Sequence, residues 1–100
     1  VPAAFTAVSG AAHWHVLLRA RAIETGSYVI APAQCGTHSD GRQTYGHALI
    51  VSPWGEILVE ADDGDAVITA TIDLAKIHTA RRAIPSLNSS AEFGKTRFYR

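Results

Sequence analysis

The stretch from Gly10 to Gly36 reads GAAHWHVLLRARAIETGSYVIAPAQCG and changes from a helical pattern to a strand pattern. Its apolar side chains recur at spacings of three and four: Trp14, Leu17, Leu18 and Ala22. This periodicity predicts a helix over residues 10–25 that packs one side against a sheet. Ser9 is the predicted N-cap, and Gly26 suits the left-handed residue that ends a helix.

Strands are predicted on both sides of this helix. Residues 28–31, Tyr-Val-Ile-Ala, are β-formers without polar alternation, which is typical of a strand buried on both faces. Residues 1–5 are also apolar, but Pro2 restricts them to the end or edge of a sheet because proline cannot donate to a ladder. A helix between two strands indicates an α/β layer.

Three more strands and a second helix are predicted downstream. Residues 47–51 and 56–60 form a hairpin around the turn Ser-Pro-Trp-Gly, and residues 66–72 return as a third strand of an antiparallel meander. Asp73 caps a helix over residues 74–83 that ends before Pro85. The residues expected on the packed side of that helix are Leu74, Ile77 and the aliphatic part of Arg81.

The remaining segments are predicted to be irregular. Residues 34–43 are polar and indicate a surface loop that turns at Asp40-Gly41. Residues 86–100 have no sustained period and predict an extended or disordered tail. The fold class is therefore α/β (α+β), in the order helix, strand, antiparallel meander, helix, within one domain over residues 1–85.

Composition excludes several classes of partner. The chain has 100 residues, 47% of them hydrophobic, which suits one small domain. Nine Lys and Arg balance nine Asp and Glu, so we expect no binding to nucleic acid. No apolar run approaches the roughly 20 residues that span a bilayer, so we expect no membrane partner. A single cysteine, Cys35, is compatible with a reducing, cytoplasmic setting.

Cys35 is also the obvious candidate nucleophile. A thiol near His38 or His47 could be deprotonated and activated, although nearness in sequence does not establish geometry. The alternative is a structural thiol, because Cys35 follows a buried strand and free cysteine is commonly buried.

Metal and cofactor sites are not predicted. The five histidines lack zinc-type spacing, since His13 and His15 point to different sides of a helix. The aspartates at 62, 63 and 65 lack the register of an EF-hand and indicate a solvated turn. Arg19, Arg21 and Glu24 could orient a substrate carboxylate, but structural ion pairing, such as Arg21 with Glu24, is the favoured interpretation.

The loop after residues 1–5 is the candidate binding site. It lies at the carboxyl end of a strand, where open α/β layers commonly bind ligands. Phe5, Thr6 and Ser9 are the candidate residues of a pocket wall. The alternative leaves Phe5 in the core and Ser9 as a helix cap.

The order of these segments resembles the carboxy-terminal part of the nitrilase superfamily, the carbon-nitrogen hydrolases. The matching segments are PAAFT, GAAHWHVLLRARAIE, YVIAPAQCG, YGHALIVSPWGEIL, ITATIDL and RRAIP. Among its branches, the chain looks most like the small-amide hydrolases that include deaminated glutathione amidase and ω-amidase. The resemblance implies an αββα sandwich and hydrolysis of a small linear amide through a Cys thioester intermediate, without metal or organic cofactor.

In this family the catalytic Glu, Lys and Cys lie upstream of the PAAFT segment. By that correspondence none of the three is present here, and Cys35 matches a non-nucleophilic cysteine of the AQCG segment. The two lysines, Lys76 and Lys95, also match no catalytic position. We therefore expect a fragment or processing product, consistent with the absence of Met, which would be inactive alone.

The resemblance also implies roles for other residues. Phe5 and Ser9 correspond to pocket-wall positions, and the helix over residues 10–25 corresponds to one that packs against a second subunit. Three departures from the family pattern are Ala48 in place of Ser, Ser52 in place of Asp, and the segment 88–90, Asn-Ser-Ser, in place of a basic segment. Two rivals remain: a self-contained thiol hydrolase using Cys35, and a non-enzymatic module that binds a small ligand or a partner.

Overall fold

A computed structural model describes residues 1–88, 91 and 94. The first helix, α1, begins irregularly. The helix begins with an α-helical turn over Ala7–Ser9, continues as π-helix over Gly10–Trp14 and ends as α-helix over His15–Thr25. Thr6 is the N-cap, since its side chain accepts a hydrogen bond from the Ser9 amide at 3.4 Å. The prediction of Ser9 as N-cap was wrong because the helix begins almost one turn earlier.

The end of α1 follows the prediction. Gly26 adopts φ 56° and ψ 42°, and its N–H donates to the last turn of the helix. Trp14, Leu18 and Ala22 are buried, as their spacing predicted. Leu17, in contrast, is 51% exposed, because a residue adjacent to Leu18 points about 100° away around the helix.

The buried side of α1 packs on a three-stranded antiparallel sheet. The strands are β1 (Val29–Ala31), β4 (Leu49–Val51) and β5 (Ile57–Glu60), in the order β1-β4-β5. In the register, Val29 lies opposite Val51, and Ile50 lies opposite Val59. The strand over residues 28–31 is therefore confirmed, but Ile30 is 56% exposed, so only one face of it is buried.

The turn between β4 and β5 has the predicted chemistry. The Gly55 N–H donates to the Ser52 carbonyl at 2.9 Å, and Gly55 adopts φ 90°. The buried Ser52 hydroxyl accepts from the Trp54 amide at 3.3 Å and the Glu56 amide at 3.2 Å. Ser52 thus accepts hydrogen bonds from the turn amides, at a position where the pattern of the similar family usually has Asp.

A second, two-stranded sheet forms at both ends of the predicted loop over residues 34–43. It consists of β2 (Cys35–Thr37) and β3 (Gln43–Tyr45), paired antiparallel. The Asp40-Gly41 turn lies at its tip, with Gly41 at φ 82°. The segment before α1 forms only isolated bridges, Ala3 with Ala33 and Thr6 with Thr44, rather than a regular strand.

The predicted third meander strand is not formed. Residues 66–72 have no regular secondary structure, and Val67 is 94% exposed. β-Branched residues favour a strand only where a neighbouring strand pairs with them and covers them. Among the described residues, no strand pairs with the outer edge of β5. The fold is α/β with antiparallel sheets, as predicted, but the meander has two strands rather than three.

The second helix, α2 (Leu74–Ala83), begins as predicted. Asp73 is its N-cap, with Oδ1 accepting from the Ala75 amide at 3.0 Å. Its buried residue is Ala80, whereas Leu74 is 66% exposed, so the expected packed side was only partly correct. Ser86–Asn88 form a short 3₁₀ helix, and most of the predicted tail lies outside the described residues.

The core lies between α1 and the sheet. Its buried members are Trp14, Leu18, Ala22, Val29, Ala31, Leu49 and Val51. Within the described part of the chain, no helix is both long enough and apolar enough to cross a membrane.

Candidate functional site

The candidate site lies where the loop before α1 meets the hairpin formed by β2 and β3. The Tyr45 amide donates to the Phe5 carbonyl at 2.9 Å, and Thr6 bridges to Thr44. Gly10 makes this approach possible, because a Cβ there would lie 2.2 Å from the Tyr45 Cβ. The start of α1 and the hairpin therefore form one surface.

The three predicted pocket residues do not share one environment. The half-buried Phe5 packs against the core, with its ring centroid 5.2 Å from that of Trp14. Thr6 and Ser9 lie together, their hydroxyl oxygens 2.7 Å apart. Thr6 lines a concavity that continues onto the hairpin, and neither Phe5 nor Ser9 is part of the lining of that concavity.

The hairpin side of this concavity was missed from the sequence. The cavity has a volume of about 180 Å³, and its polar lining residues are Thr6, Gln34, His38, Arg42, Gln43 and Thr44. A polar, turn-rich segment with strands of three residues gives no alternating pattern, so the sequence indicated only a loop. The Asp40-Gly41 turn was the one available signal for a hairpin.

Cys35 has surroundings that oppose activation. Its thiol donates to the Asp65 carboxylate at 3.4 Å. This hydrogen bond, followed by partial burial and the negative charge of Asp65, raises the pKa of the Cys35 thiol. A catalytic thiol needs a lowered pKa and a base or cation beside it, so this geometry favours the structural role.

The two histidines proposed to activate Cys35 are engaged elsewhere. His38 Nε2 lies 3.0 Å from the Thr44 hydroxyl, and His47 Nδ1 lies 2.6 Å from the Tyr45 carbonyl. Because a carbonyl only accepts, His47 Nδ1 carries the hydrogen of this bond. Neither contact places an imidazole nitrogen on the thiol.

No metal centre is assembled in the part of the chain that the structure describes. Among these residues, no group of three or more His, Cys, Asp or Glu side chains is arranged to hold a metal ion. His15 instead contacts Glu60 of β5, with Nε2 and Oε1 2.5 Å apart. This pair joins α1 to the sheet.

The charged residues of α1 have structural partners. Arg19 Nε donates to the Gly55 carbonyl at 2.7 Å and so holds the β4–β5 turn against the helix. Arg21 and Glu24 form the predicted pair at spacing i,i+3, 3.4 Å apart. Of the two lysines, Lys76 is exposed on α2, and Lys95 lies outside the described residues.

Comparison with protein families identifies the class to which the chain belongs. The Carbon-nitrogen hydrolase family profile matches residues 2–82. The chain therefore belongs to the carbon-nitrogen hydrolase family, which confirms the predicted membership.

Curated relatives are similar in sequence to the chain over most of its length. It is 49% identical over 84 residues to human deaminated glutathione amidase, covering 84% of this chain and 26% of that protein. It is 52% identical over 87 residues to the Synechocystis deaminated glutathione amidase, covering 87% of this chain and 32% of that protein. The chain thus spans about a quarter to a third of the length of these relatives.

Solved structures share the fold over the same portion. The NitFhit protein of C. elegans superposes with a TM-score of 0.82 at 44% identity, covering 87% of this chain and 21% of that chain. Saccharomyces cerevisiae Nit3, described as a member of branch 10 of the nitrilase superfamily, gives a TM-score of 0.78 at 35% identity. That match covers 86% of this chain and 32% of Nit3.

Proposed function

We propose that this chain is the carboxy-terminal portion of an amidase of the carbon-nitrogen hydrolase family that cleaves a small linear amide. The catalytic Glu, Lys and Cys of the parent protein would lie upstream, and the reaction would proceed through a Cys thioester. Identity of about half to deaminated glutathione amidases, over 84% or more of this chain, carries the proposal. The amide named in those relatives is the first substrate to test.

The geometry of Cys35 supports a role as scaffold rather than nucleophile. Its thiol is hydrogen-bonded to Asp65, which raises the thiol pKa, and the hydrogen bonds of His38 and His47 go to Thr44 and Tyr45 instead. On this proposal the chain contributes sheet and pocket wall, with Phe5, Thr6 and Ser9 near the substrate. A reducing, cytoplasmic setting remains part of the proposal and rests on the single cysteine.

We further propose that the rest of the parent protein completes an αββα sandwich on the open side of the sheet. Ile30 lies in the middle of β1 and is 56% exposed, although its neighbours Val29 and Ala31 are buried on the other face. An exposed apolar residue on a sheet face is suited to contact with another layer, although β1 is an edge strand here and the cross-strand partner Ile50 is already buried.

A chimera tests the enzymatic proposal. Residues 1–85 of this chain would replace the matching segment of the Synechocystis relative, and ammonia release from deaminated glutathione would be measured. We expect turnover by the chimera, no turnover by the 100-residue chain alone, and unchanged turnover in a chimera carrying Cys35→Ala. Turnover by the isolated chain that disappears on Cys35→Ala would establish the thiol hydrolase instead.

A second copy of the chain is the proposed partner of α1. The side of α1 away from the sheet carries Val16, 68% exposed, and Leu17, 51% exposed. Burying each such side chain is worth about 1.5–3 kcal/mol, and a symmetric dimer contains each twice. We therefore expect Leu17→Asp to weaken dimerisation of the parent protein by about a hundredfold or more.

Light scattering across a concentration series measures this effect. Val67→Asp serves as the control, because Val67 is 94% exposed but lies outside α1. A dimer that withstands Leu17→Asp, or a parent protein that is monomeric throughout, would contradict the assignment of α1 as the interface.

A further inference from the structure

The concavity beside the hairpin has an unusual polarity for this molecule. Its polar lining residues are Thr6, Gln34, His38, Arg42, Gln43 and Thr44, and no carboxylate is among them. A neighbouring cavity of about 340 Å³ on the hairpin includes Asp63, and one of about 180 Å³ beside Cys35 includes Asp62 and Asp65. Of these three cavities, the concavity next to Thr6 is the one that has an arginine and no carboxylate in its lining, and the carboxylate paired with that arginine, Asp40, lies outside the lining.

Arg42 is held in place by its own loop. The Asp40 carboxylate accepts from the Arg42 amide at 3.1 Å and from Arg42 Nε at 2.6 Å. The hydrogen bond from the Arg42 amide is the larger cause, and the one from the guanidinium the smaller, of a lowered pKa for Asp40. The Asp40 carboxylate therefore stays ionised and remains hydrogen-bonded to Arg42. The contact uses the Nε edge of the guanidinium and leaves the two Nη groups for another acceptor.

The amide side chains in the lining also lack partners in the described structure. Among residues 1–88, 91 and 94, neither Gln34 nor Gln43 makes a side-chain hydrogen bond. By contrast, the Thr6 hydroxyl is bonded to Ser9, and His38 is bonded to Thr44. One guanidinium edge and two carboxamides are thus available on the same small surface.

We propose that this concavity, formed by the loop at Thr6 and the β2–β3 hairpin, is a binding site for a small oxyanion. Arg42 supplies a planar pair of Nη donors, with its positive charge partly offset by Asp40, and the glutamine amides supply neutral donors around it. The oxyanion could be the carboxylate of an organic molecule or a free inorganic ion, because both present the same acceptor oxygens. The site shares Thr6 with the proposed substrate wall, but it requires none of the catalytic residues and its ligand goes beyond the proposed amidase activity.

A titration of the 100-residue chain tests the site directly. The probes are glutarate and sulfate, with glutaramide as the neutral match for glutarate, all at constant ionic strength. Backbone amide signals in the ¹H–¹⁵N spectrum report both folding and binding. We expect saturable shifts confined to residues 34–45 and Thr6 with at least one anion, and none with glutaramide.

Arg42→Gln provides the decisive variant. It should weaken binding of the anion about fivefold or more, since hydrogen bonds to charged groups are stronger than neutral ones and solvent screens part of the gain. Arg82→Gln removes another exposed arginine, on α2, and should leave binding unchanged. An unchanged spectrum of Arg42→Gln away from the hairpin verifies its fold.

The outcomes distinguish an organic carboxylate from an inorganic oxyanion, and they test this site separately from the amidase proposal. Saturation by glutarate alone indicates an organic carboxylate, whereas saturation by both anions indicates a general oxyanion site. Non-saturating shifts with both anions, or equal effects of Arg42→Gln and Arg82→Gln, would overturn the site. Because turnover is not measured, that result would leave the amidase proposal intact, and failure of the chimera would leave this one intact.

Discussion

Replacing Gly10 by Ala tests whether the close approach of α1 to the hairpin shapes this fold. A Cβ at Gly10 would lie 2.2 Å from the Tyr45 Cβ, 2.4 Å from its Cγ and 2.8 Å from its Cδ2. Carbon atoms in contact are separated by about 3.5–4.0 Å, so the nearest pair would be about 1.3 Å too close. Both of those carbons are attached to the backbone, and no side-chain rotation can separate them.

Two effects of Gly10→Ala oppose each other. Alanine favours a helix over glycine by about 1 kcal/mol. Overpacking typically costs about 1–3 kcal/mol, and here the backbone of α1 or β3 must move to relieve it, which places the cost at the upper end or above. We therefore expect the free energy of unfolding to fall by about 2 kcal/mol, as the clash outweighs the helical gain.

Urea unfolding followed by tryptophan fluorescence measures the change, because Trp14 is only 1% exposed and lies in the core. For a domain of this size the midpoint should fall by about 1 M. Gly64→Ala is the matched control, since no atom lies within 4 Å of its added Cβ and its φ is not positive. A Gly10→Ala protein as stable as the parent would refute the close packing of α1 on Tyr45.

Three further predictions concern side-chain hydrogen bonds. Trp14→Phe removes the bond from Nε1 to the His47 carbonyl, 2.8 Å long, and should lower the free energy of unfolding by about 1–3 kcal/mol in chemical denaturation. Ser52→Ala leaves two turn amides without their buried acceptor and should cost about 1–2 kcal/mol in the same assay. Because Asp65 raises the pKa of the Cys35 thiol, alkylation of Cys35 should need a higher pH than that of a free thiol, and Asp65→Asn should speed it about twofold or more near pH 8.

Each of these predictions has a result that would contradict it. Ser52→Thr keeps the hydroxyl and should lose less stability than Ser52→Ala. An equal loss in the two variants would contradict the role of the hydroxyl as the turn acceptor. Equal stability of Trp14→Phe and the parent would mean that the indole N–H contributes nothing. Cys35 would be an activated thiol, contrary to its contacts, if it reacted faster than free cysteine at neutral pH.

The long elements were predictable because their signals are local. Apolar spacing identified α1, Gly26 marked its end, and the Ser-Pro-Trp-Gly turn identified the β4–β5 hairpin. The prediction of a third meander strand was wrong because the β-propensity of residues 66–72 does not provide a neighbouring strand for pairing. The β2–β3 hairpin was missed because its strands are short and polar, and their pairing depends on contacts outside the segment.

Of the residues that line the candidate concavity, Thr6 is the one that was predicted from the sequence as a binding residue, and that role stays a prediction. Thr6 does line a concavity, but the other polar residues of that concavity come from a hairpin about 30 or more residues downstream. The role of Cys35 illustrates the same limit. Sequence placed it near His38 and His47, whereas the folded chain gives it Asp65 as its partner.

By itself, the sequence determined the family, the main helix and the β4–β5 hairpin, because ordered segments, helical periodicity and turn residues are all local properties of the chain. The tertiary structure decided which residues meet. The folded chain places Thr6 against Thr44 and Cys35 against Asp65, and it packs Gly10 on Tyr45. Such contacts join residues far apart along the chain, so they follow from packing in three dimensions rather than from any pattern in the stretch from Gly10 to Gly36.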